Sequence, residues 1–372
     1  HLILDNGKPL PKKSKTGPVI RKASTAQGRT GRVAALFPGQ GSQYTDMFRE
    51  LVAVAPEAKR AMDRLDQLSR QLGYETLSEL AWRRDNVLGV GIWETQWAMY
   101  LGDLFAWEVL RDMGLHVDVI ASHSFGEFPS LAAAGAWTAE VGARAARCRG
   151  DAVEHVGPKD GALLSVLAPR EKVEEILQPF SNQVFVCAEN SADQVVVGGQ
   201  RENVDAVEAV LESKRMHFKR LAVPCPYHTP LLMASSSELS AGIGYLPINV
   251  PQISVYSSTT AAPMLDSIGI RESLTRQMTE TVQWVQVVEK LYTEGVRTFV
   301  EVGPLGVLSG LVRRILKGKT DIQIIQFDQK SESASEVMAR LQTQLDTAGA
   351  LQVEQKSSKQ VETLGDIMQQ ED

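Results

Sequence analysis

The sequence predicts an α/β fold: a mostly parallel sheet with helices on both faces, interrupted by a smaller inserted unit. Three observations carry that prediction. Short apolar, β-rich runs recur at 33–37, 117–121, 253–257, 298–302 and 322–327, and the segments between them are long enough for crossover helices. The first two runs each end in a tight turn of small residues and then pass into a helical pattern. Residues 161–222 break the alternation with a strand, helix, strand, strand, helix, strand order of their own.

Taken in order, Val33-Ala34-Ala35-Leu36-Phe37 reads as a short buried strand, broken by Pro38-Gly39-Gln40-Gly41-Ser42 and followed by helical sequence to about residue 80. Between residues 92 and 113, Trp93, Trp97, Leu101, Leu104, Phe105 and Val109 recur at three- and four-residue steps, which places them on one face of a core helix. The run 117–121 stops at Ser122-His123-Ser124-Phe125-Gly126, after which small and apolar residues continue in helical manner through Arg149. Within 161–222 the strands are expected at 162–167, 184–188, 195–197 (closed by Gly198-Gly199) and 218–223, with helices at 170–178 and 202–213. This βαββαβ order is that of a ferredoxin-like unit, and its position inside the α/β pattern makes it an insertion. Beyond 331 a helix at 336–346, with Ser335 as N-cap, precedes a tail rich in Gln, Glu, Lys and Ser that is expected to be disordered. The domain reading is therefore a basic linker 1–32, a large part formed by 33–160 and 223–330, a small part 161–222, and a C-terminal helix with polar tail 331–372.

The 372 residues are 43% hydrophobic and 23% charged, enough for a sizeable core. The net charge of −6 is uneven. Residues 1–32 hold eight Lys and Arg against the single acid Asp5, which leaves 31 basic against 44 acidic side chains in the remainder. An acidic body is short of the cations that neutralise phosphates, which disfavours nucleic-acid binding by it; a basic arm stays open for the prefix, whose composition reads as a solvated linker. Cys148, Cys187 and Cys225 are too few and too widely spaced for a disulfide framework or a thiolate zinc site, and no metal is called for. No apolar run reaches the roughly 18 residues of a membrane span, and no signal peptide opens the sequence. A cytoplasmic protein is expected. The first residue is His1 and not Met, so the chain is expected to be a fragment cut from something longer.

The turn Ser122-His123-Ser124-Phe125-Gly126 resembles the G-x-S-x-G nucleophile elbow, with Ser122 at the first glycine position. Such a turn exposes the Ser124 hydroxyl, and the helix that follows aims its N–H groups at a developing oxyanion. Alone, the motif also fits a structural serine; the strand before and helix after favour the nucleophile. A serine nucleophile needs a base, and the chain has six histidines. His1 lies in the prefix, His123 is locked beside the serine with its side chain expected to turn away, and His116, His155 and His217 fall at element ends. His228 sits in Pro224-Cys225-Pro226-Tyr227-His228-Thr229-Pro230, a proline-fixed loop suited to holding an imidazole, although a packed loop histidine fits the same residues. The turn 37–43 lacks the lysine and the spacing of a phosphate loop. It is better placed to offer the Gln40 backbone N–H to an oxyanion.

In order, Phe37-Pro38-Gly39-Gln40-Gly41-Ser42-Gln43, His123-Ser124-Phe125-Gly126-Glu127, Arg149-Gly150, Tyr227-His228 and Glu301-Val302-Gly303-Pro304 resemble motifs of the malonyl-CoA:acyl carrier protein transacylases and the acyltransferase domains of polyketide and fatty acid synthases. The resemblance covers about residues 33–330 and implies an α/β-hydrolase-like large part with a ferredoxin-like insertion. It implies Ser124 as the acylated nucleophile, His228 as its base, and the amides of Gln40 and Phe125 as oxyanion donors. It implies that a backbone carbonyl, assigned to Gln283 in Thr281-Val282-Gln283-Trp284, orients the imidazole. Arg149, 25 residues after Ser124, is where the family keeps an arginine for the free malonyl carboxylate. Gln96 and Asn190 fall where the family has pocket-lining amides, though either could instead cap a helix or hold a turn.

Tyr227 before the histidine, with Phe125 after the serine, is the pattern of members that take malonyl rather than methylmalonyl units. Cys225, Pro226 and Ser122 depart from the common motifs. The implied activity moves a malonyl unit from malonyl-CoA to the phosphopantetheine thiol of an acyl carrier protein, in a polyketide synthase of iterative, enediyne or polyunsaturated type. Malonyl-CoA is then substrate, no cofactor is tightly bound, and the partners are the carrier protein and neighbouring synthase domains reached through both linkers. Two rivals are a serine hydrolase or thioesterase, whose acid would be Asp193 or Asp205 in the insertion, and a non-catalytic docking module.

Overall fold

Strand β1 (Arg32–Phe37) is buried on both faces, and its side chains alternate between two cores. Val33, Ala35 and Phe37 join a cluster built with the helices Pro56–Leu72 and Ile92–Asp112, whereas Ala34 and Leu36 join one built with the helices Trp284–Thr293 and Val307–Ile315. A central strand of a parallel sheet with helices on both faces must have this pattern. The structure is a computed structural model that describes residues 31–82, 87–223, 225–329 and 332–352. The basic linker, apart from its last two residues, and the polar tail from 353 onward lie outside the described residues.

The other strands are β2 (Val119–Ser122), β3 (Gly161–Val166), β4 (Val184–Ser191), β5 (Gln194–Gln200), β6 (Phe218–Arg220), β7 (Ser254–Tyr256), β8 (Pro263–Met264), β9 (Val296–Glu301) and β10 (Gln323–Gln326). Among the described residues they form a six-stranded sheet in the order β10-β9-β1-β2-β7-β8 and a four-stranded sheet in the order β4-β5-β3-β6. The first is parallel except for β8, which pairs antiparallel to β7; the second is antiparallel throughout. β1 and β2 are neighbours, with Phe37 opposite Ser122, so the turns that leave them lie side by side. That adjacency positions the site.

The small sheet has the expected βαββαβ connectivity. One face carries Leu164, Val166, Val195 and Val197 against the helices Arg170–Leu177 and Arg201–Ser213. The other carries Leu163, Cys187, Ala188 and Val196 against Trp284, Val287, Leu308 and Val312 of the large part. Main-chain bonds from Glu189 N to Val282 O and from Val282 N to Cys187 O, both 2.9 Å, stitch the two parts together.

Two helices depart from expectation. Ile92–Asp112 is not amphipathic with one core face but buried nearly all round, because it lies between the sheet and the helices Pro56–Leu72 and Ala139–Val156. The C-terminal helix runs Ala334–Thr347 and is capped by Ser333, in a reciprocal bond pair with Glu336, rather than by Ser335. It is also not a connection leaving the molecule: Val337, Leu341 and Leu345 are buried in the larger core, and Ala350 O accepts a 2.8 Å bond from His116 N.

Candidate active site

The turn after β2 is sharp, fixed by one left-handed residue and two close approaches. Ser124 adopts φ +54°, a left-handed conformation costly for a residue with a side chain. A Cβ on Gly126 would lie 2.4 Å from Phe37 O, and one on Gly39 would lie 2.6 Å from His123 O. The two turns therefore lock into each other through glycines, and the 38–41 turn, which carries the Gln40 amide, lies against the serine. Phe125 begins the helical turns that continue into Glu127–Ala133, so its amide belongs to the N-terminal end of that helix.

Ser124 Oγ lies 2.6 Å from His228 Nε2. His228 is itself at φ +65°, in a loop closed by bonds from Tyr227 N to Cys225 O (2.9 Å) and from Thr229 Oγ1 to Pro226 O (2.7 Å). Burial pushes the imidazole pKa down to about 3, with further contributions from the Arg149 charge and from His123. A neutral ring can accept the serine proton.

The other ring nitrogen, Nδ1, lies 2.7 Å from the carbonyl oxygen of Gln277, which corrects the assignment to Gln283. Gln283 is the N-cap of the helix Trp284–Thr293, and its carbonyl already accepts Val287 N at 3.0 Å. Gln277 directly follows the helix Ser267–Arg276, where carbonyls have no helical N–H left to bind. The Gln283 side chain instead lines a cavity of about 650 Å3 that opens from His228 between the helix Arg170–Leu177, β4 and residues 279–283. Among the described residues no carboxylate holds His228: Asp193 accepts from Ser191, and Asp205 pairs with Arg220. The histidines set aside by sequence reasoning stay apart, with His116, His155 and His217 exposed and His123 Nε2 donating to Asn190 Oδ1 at 2.9 Å.

Arg149 is fully buried, and among the described residues none of its three side-chain nitrogens has a hydrogen-bond partner. Its guanidinium carbon sits 4.4 Å from the ring centre of Tyr227 and 5.4 Å from that of Phe125, the chain neighbours of His228 and Ser124. The Tyr227 hydroxyl accepts Gln96 Nε2 at 2.9 Å. Gln96 Oε1, also buried, has no partner among the described residues. Burial lowers the Arg149 pKa, but Tyr227, Cys225 and Glu127 nearby favour its charge. Sequence reasoning gave Glu127 no role; it is buried at the start of the elbow helix, accepts Ser258 N at 2.6 Å, and is pushed up to about 6 by burial. Asn190 lies near the nucleophile turn but is held by His123, so it supports the elbow's neighbour rather than standing free.

An elbow serine, a neutral histidine held by a main-chain carbonyl and an unpartnered buried cation are suited to passing a charged acyl group through an ester. The chain belongs to the acyl transferase domain family, whose sequence profile matches residues 35–354, and it is an acyltransferase. It is 31% identical over 291 residues to a malonyl CoA-acyl carrier protein transacylase of Bacillus subtilis (strain 168), covering 76% of this chain and 90% of that one. It is 30% identical over 292 residues to a phenolphthiocerol synthesis polyketide synthase type I of Mycobacterium marinum, covering 78% of this chain but 14% of that much longer one. The acyltransferase domain from the second module of the salinomycin polyketide synthase superposes with a TM-score of 0.77 at 27% identity, covering 86% of this chain and 74% of that one. Among the described residues no helix is long and apolar enough to cross a membrane.

Proposed function

We propose that the protein transfers malonyl units from malonyl-CoA to the phosphopantetheine thiol of an acyl carrier protein, as a working part of a polyketide- or fatty-acid-type synthase. The observation that carries this reading is Arg149: an unpaired guanidinium buried this deeply costs several kcal/mol unless a ligand supplies the counter-charge. A malonyl carboxylate does so, and its planar oxygens match the guanidinium fork. The names of the transacylase and synthase relatives agree with that substrate and partner.

Transfer then runs in two symmetrical halves. Ser124 Oγ attacks the thioester carbon as its proton passes to His228 Nε2, and the oxyanion takes N–H bonds from Gln40 and Phe125. Collapse expels the coenzyme A sulfur, which leaves with the proton returned by His228. The carrier thiol next gives its proton to His228 and attacks the Ser124 ester, and Ser124 leaves protonated. One thioester replaces another, with no oxidant and no net proton change. Arg149 holds the carboxylate throughout, while Tyr227 and Phe125 wall the acyl carbon chain and restrict an α-methyl branch. The basic prefix and the tail past residue 353 serve as connections to neighbouring domains, and the site of action is the cytoplasm, whose reducing conditions suit three free thiols.

Incubation with malonyl-CoA followed by intact mass measurement tests the reading. An adduct of malonyl mass that is lost in Ser124→Ala and discharged by a holo carrier protein is expected. No adduct, an adduct that persists in Ser124→Ala, or rapid release of free malonate without transfer would overturn it, the last in favour of a hydrolase.

A further inference from the structure

We propose that the Gln277 side chain, and not only its backbone, is a positioning residue for acyl transfer, because one residue grips both members of the Ser124–His228 pair. This rests on the transfer reading above. The Gln277 carbonyl holds His228 Nδ1 at 2.7 Å, and its side-chain Nε2 donates to the Ser124 carbonyl oxygen at 2.8 Å. The acceptor fixes which end of the amide faces the serine, since two oxygens cannot share a proton neither carries. Gln277 is completely buried, so no water substitutes for the missing donor without repacking.

The geometry gives this contact a specific task. Ser124 is held at φ +54°, and such a conformation persists only where its surroundings over-determine it. Gly39 and Gly126 constrain the turn from the side of β1. Gln277 constrains it from a separate segment, the one that also carries the partner of His228 N, Met278 O, at 3.0 Å. The elbow and the base loop are otherwise 104 residues apart in sequence, and the 2.6 Å dyad contact depends on their relative placement. Gln277 sets that placement directly. Removing its amide proton leaves the backbone carbonyl, and so the histidine orientation, in place while releasing the serine.

Gln277→Met and Gln277→Glu in the 372-residue chain separate this role from simple packing. With Gln277→Met, malonylation of Ser124 at saturating malonyl-CoA is expected to slow by about 10- to 100-fold, as for other sub-ångström to ångström misplacements of reacting groups. The half-saturating concentration should stay within about twofold, since the residue does not touch Arg149. Gln277→Glu is expected to be equally slow at pH 8 but to recover as pH falls, because a protonated carboxyl again has an O–H to donate to Ser124 O. The charged and titratable groups around that position are Glu127 on the elbow helix, His228 on the base loop, Arg149 on Ala139–Val156, and Glu280 on its own segment. Glu127 and burial favour the protonated form; His228 stays neutral well below neutral pH and so does not supply the same recovery.

A serine-directed fluorophosphonate, which needs the dyad but not malonyl recognition, is run in parallel. If the wild type takes the fluorophosphonate but no malonyl group, the transfer reading fails, and the fluorophosphonate rates alone decide the positioning role. Wild-type rates in Gln277→Met, or an unchanged pH profile in Gln277→Glu relative to Gln277→Met, would overturn the proposal. Should Gln277→Met fail to fold by thermal unfolding, the pH dependence of Gln277→Glu decides.

Discussion

The dyad and the arginine pocket are built on opposite principles although the chain neighbours of Ser124 and His228, Phe125 and Tyr227, lie against the Arg149 guanidinium. The Ser124–His228 pair is held by a chain of bonds, Oγ to Nε2, Nδ1 to Gln277 O, Ser124 O to Gln277 Nε2 and His228 N to Met278 O, although Gln277 Oε1 has no partner among the described residues. Around Arg149, one side-chain step away through Phe125 and Tyr227, the buried nitrogens and Gln96 Oε1 have none. The first region is rigid before substrate arrives, as a reacting pair must be. The second is left incomplete, as the proposed site for a ligand carboxylate would be. Stored binding energy lies in the incomplete region and chemical precision in the complete one.

The largest effect is expected from breaking the rigid region without touching a reacting group. In Gly126→Ala the added methyl would collide with Phe37 O and Pro38 O, both main-chain atoms that cannot swing aside. Malonylation, followed by intact mass, should fall by about 100-fold or more, with a destabilisation of roughly 1–3 kcal/mol by thermal unfolding. A variant with near wild-type rate would show that the turns are not locked.

Completing the other region by removing its charge should act in two directions. Arg149→Met is expected to weaken malonyl loading by about 2–5 kcal/mol, seen as a large loss of kcat/KM, while easing acetyl loading relative to malonyl. The unliganded fold is expected to change little in stability, because relief of a buried cation without a hydrogen-bond partner is offset by the loss of its attraction to buried Glu127. A lower melting temperature with unchanged acyl selectivity would refute both halves.

The regions also communicate through charge. Since burial first and Arg149 second hold the His228 pKa at about 3, the wild-type kcat/KM should stay flat as pH falls through 6.5 and drop only further into acid. The sign follows from a base that must be unprotonated to work. In Arg149→Met the acid limb of fluorophosphonate labelling should move up toward the ordinary imidazole value; no movement would mean that the regions are electrostatically independent.

The smallest effect concerns Tyr227. Tyr227→Ser frees Gln96 and opens the wall, and the preference for malonyl over methylmalonyl in a competition assay should drop by about tenfold, within the 1–3 kcal/mol that one methyl group is worth.

Much of this site was readable from contiguous sequence. The elbow, the proline-flanked histidine and the Phe37–Gln43 turn are each a few residues long, and the strand–turn–helix context that gives Ser124 its meaning is local. Arg149 and Tyr227 needed the family resemblance, because an arginine on a helix is ordinarily a surface charge and nothing nearby marks it as buried. Gln277 escaped: it lies 49 residues from His228 and 153 from Ser124, and its role depends on where the helix Ser267–Arg276 ends. The assignment to Gln283 failed for a related reason, since the carbonyl at a helix N-cap is already used while the one just past a helix C-terminus is free. The C-terminal helix, read as part of a connection, carries Val337, Leu341 and Leu345 at helical spacing and belongs to the core.

By itself the sequence determined the alternation of strands and helices, the βαββαβ insertion, and the two short turns that carry serine and histidine, because those properties follow from side-chain period and from what glycine and proline permit locally. The tertiary structure alone decided that the turns after β1 and β2 interlock, that Arg149 is left without a partner, and that Gln277 joins the serine to its base. Each of these depends on which distant main-chain groups remain unsatisfied once the helices and sheets have taken their share, and that is a property of the packed chain rather than of any segment in it.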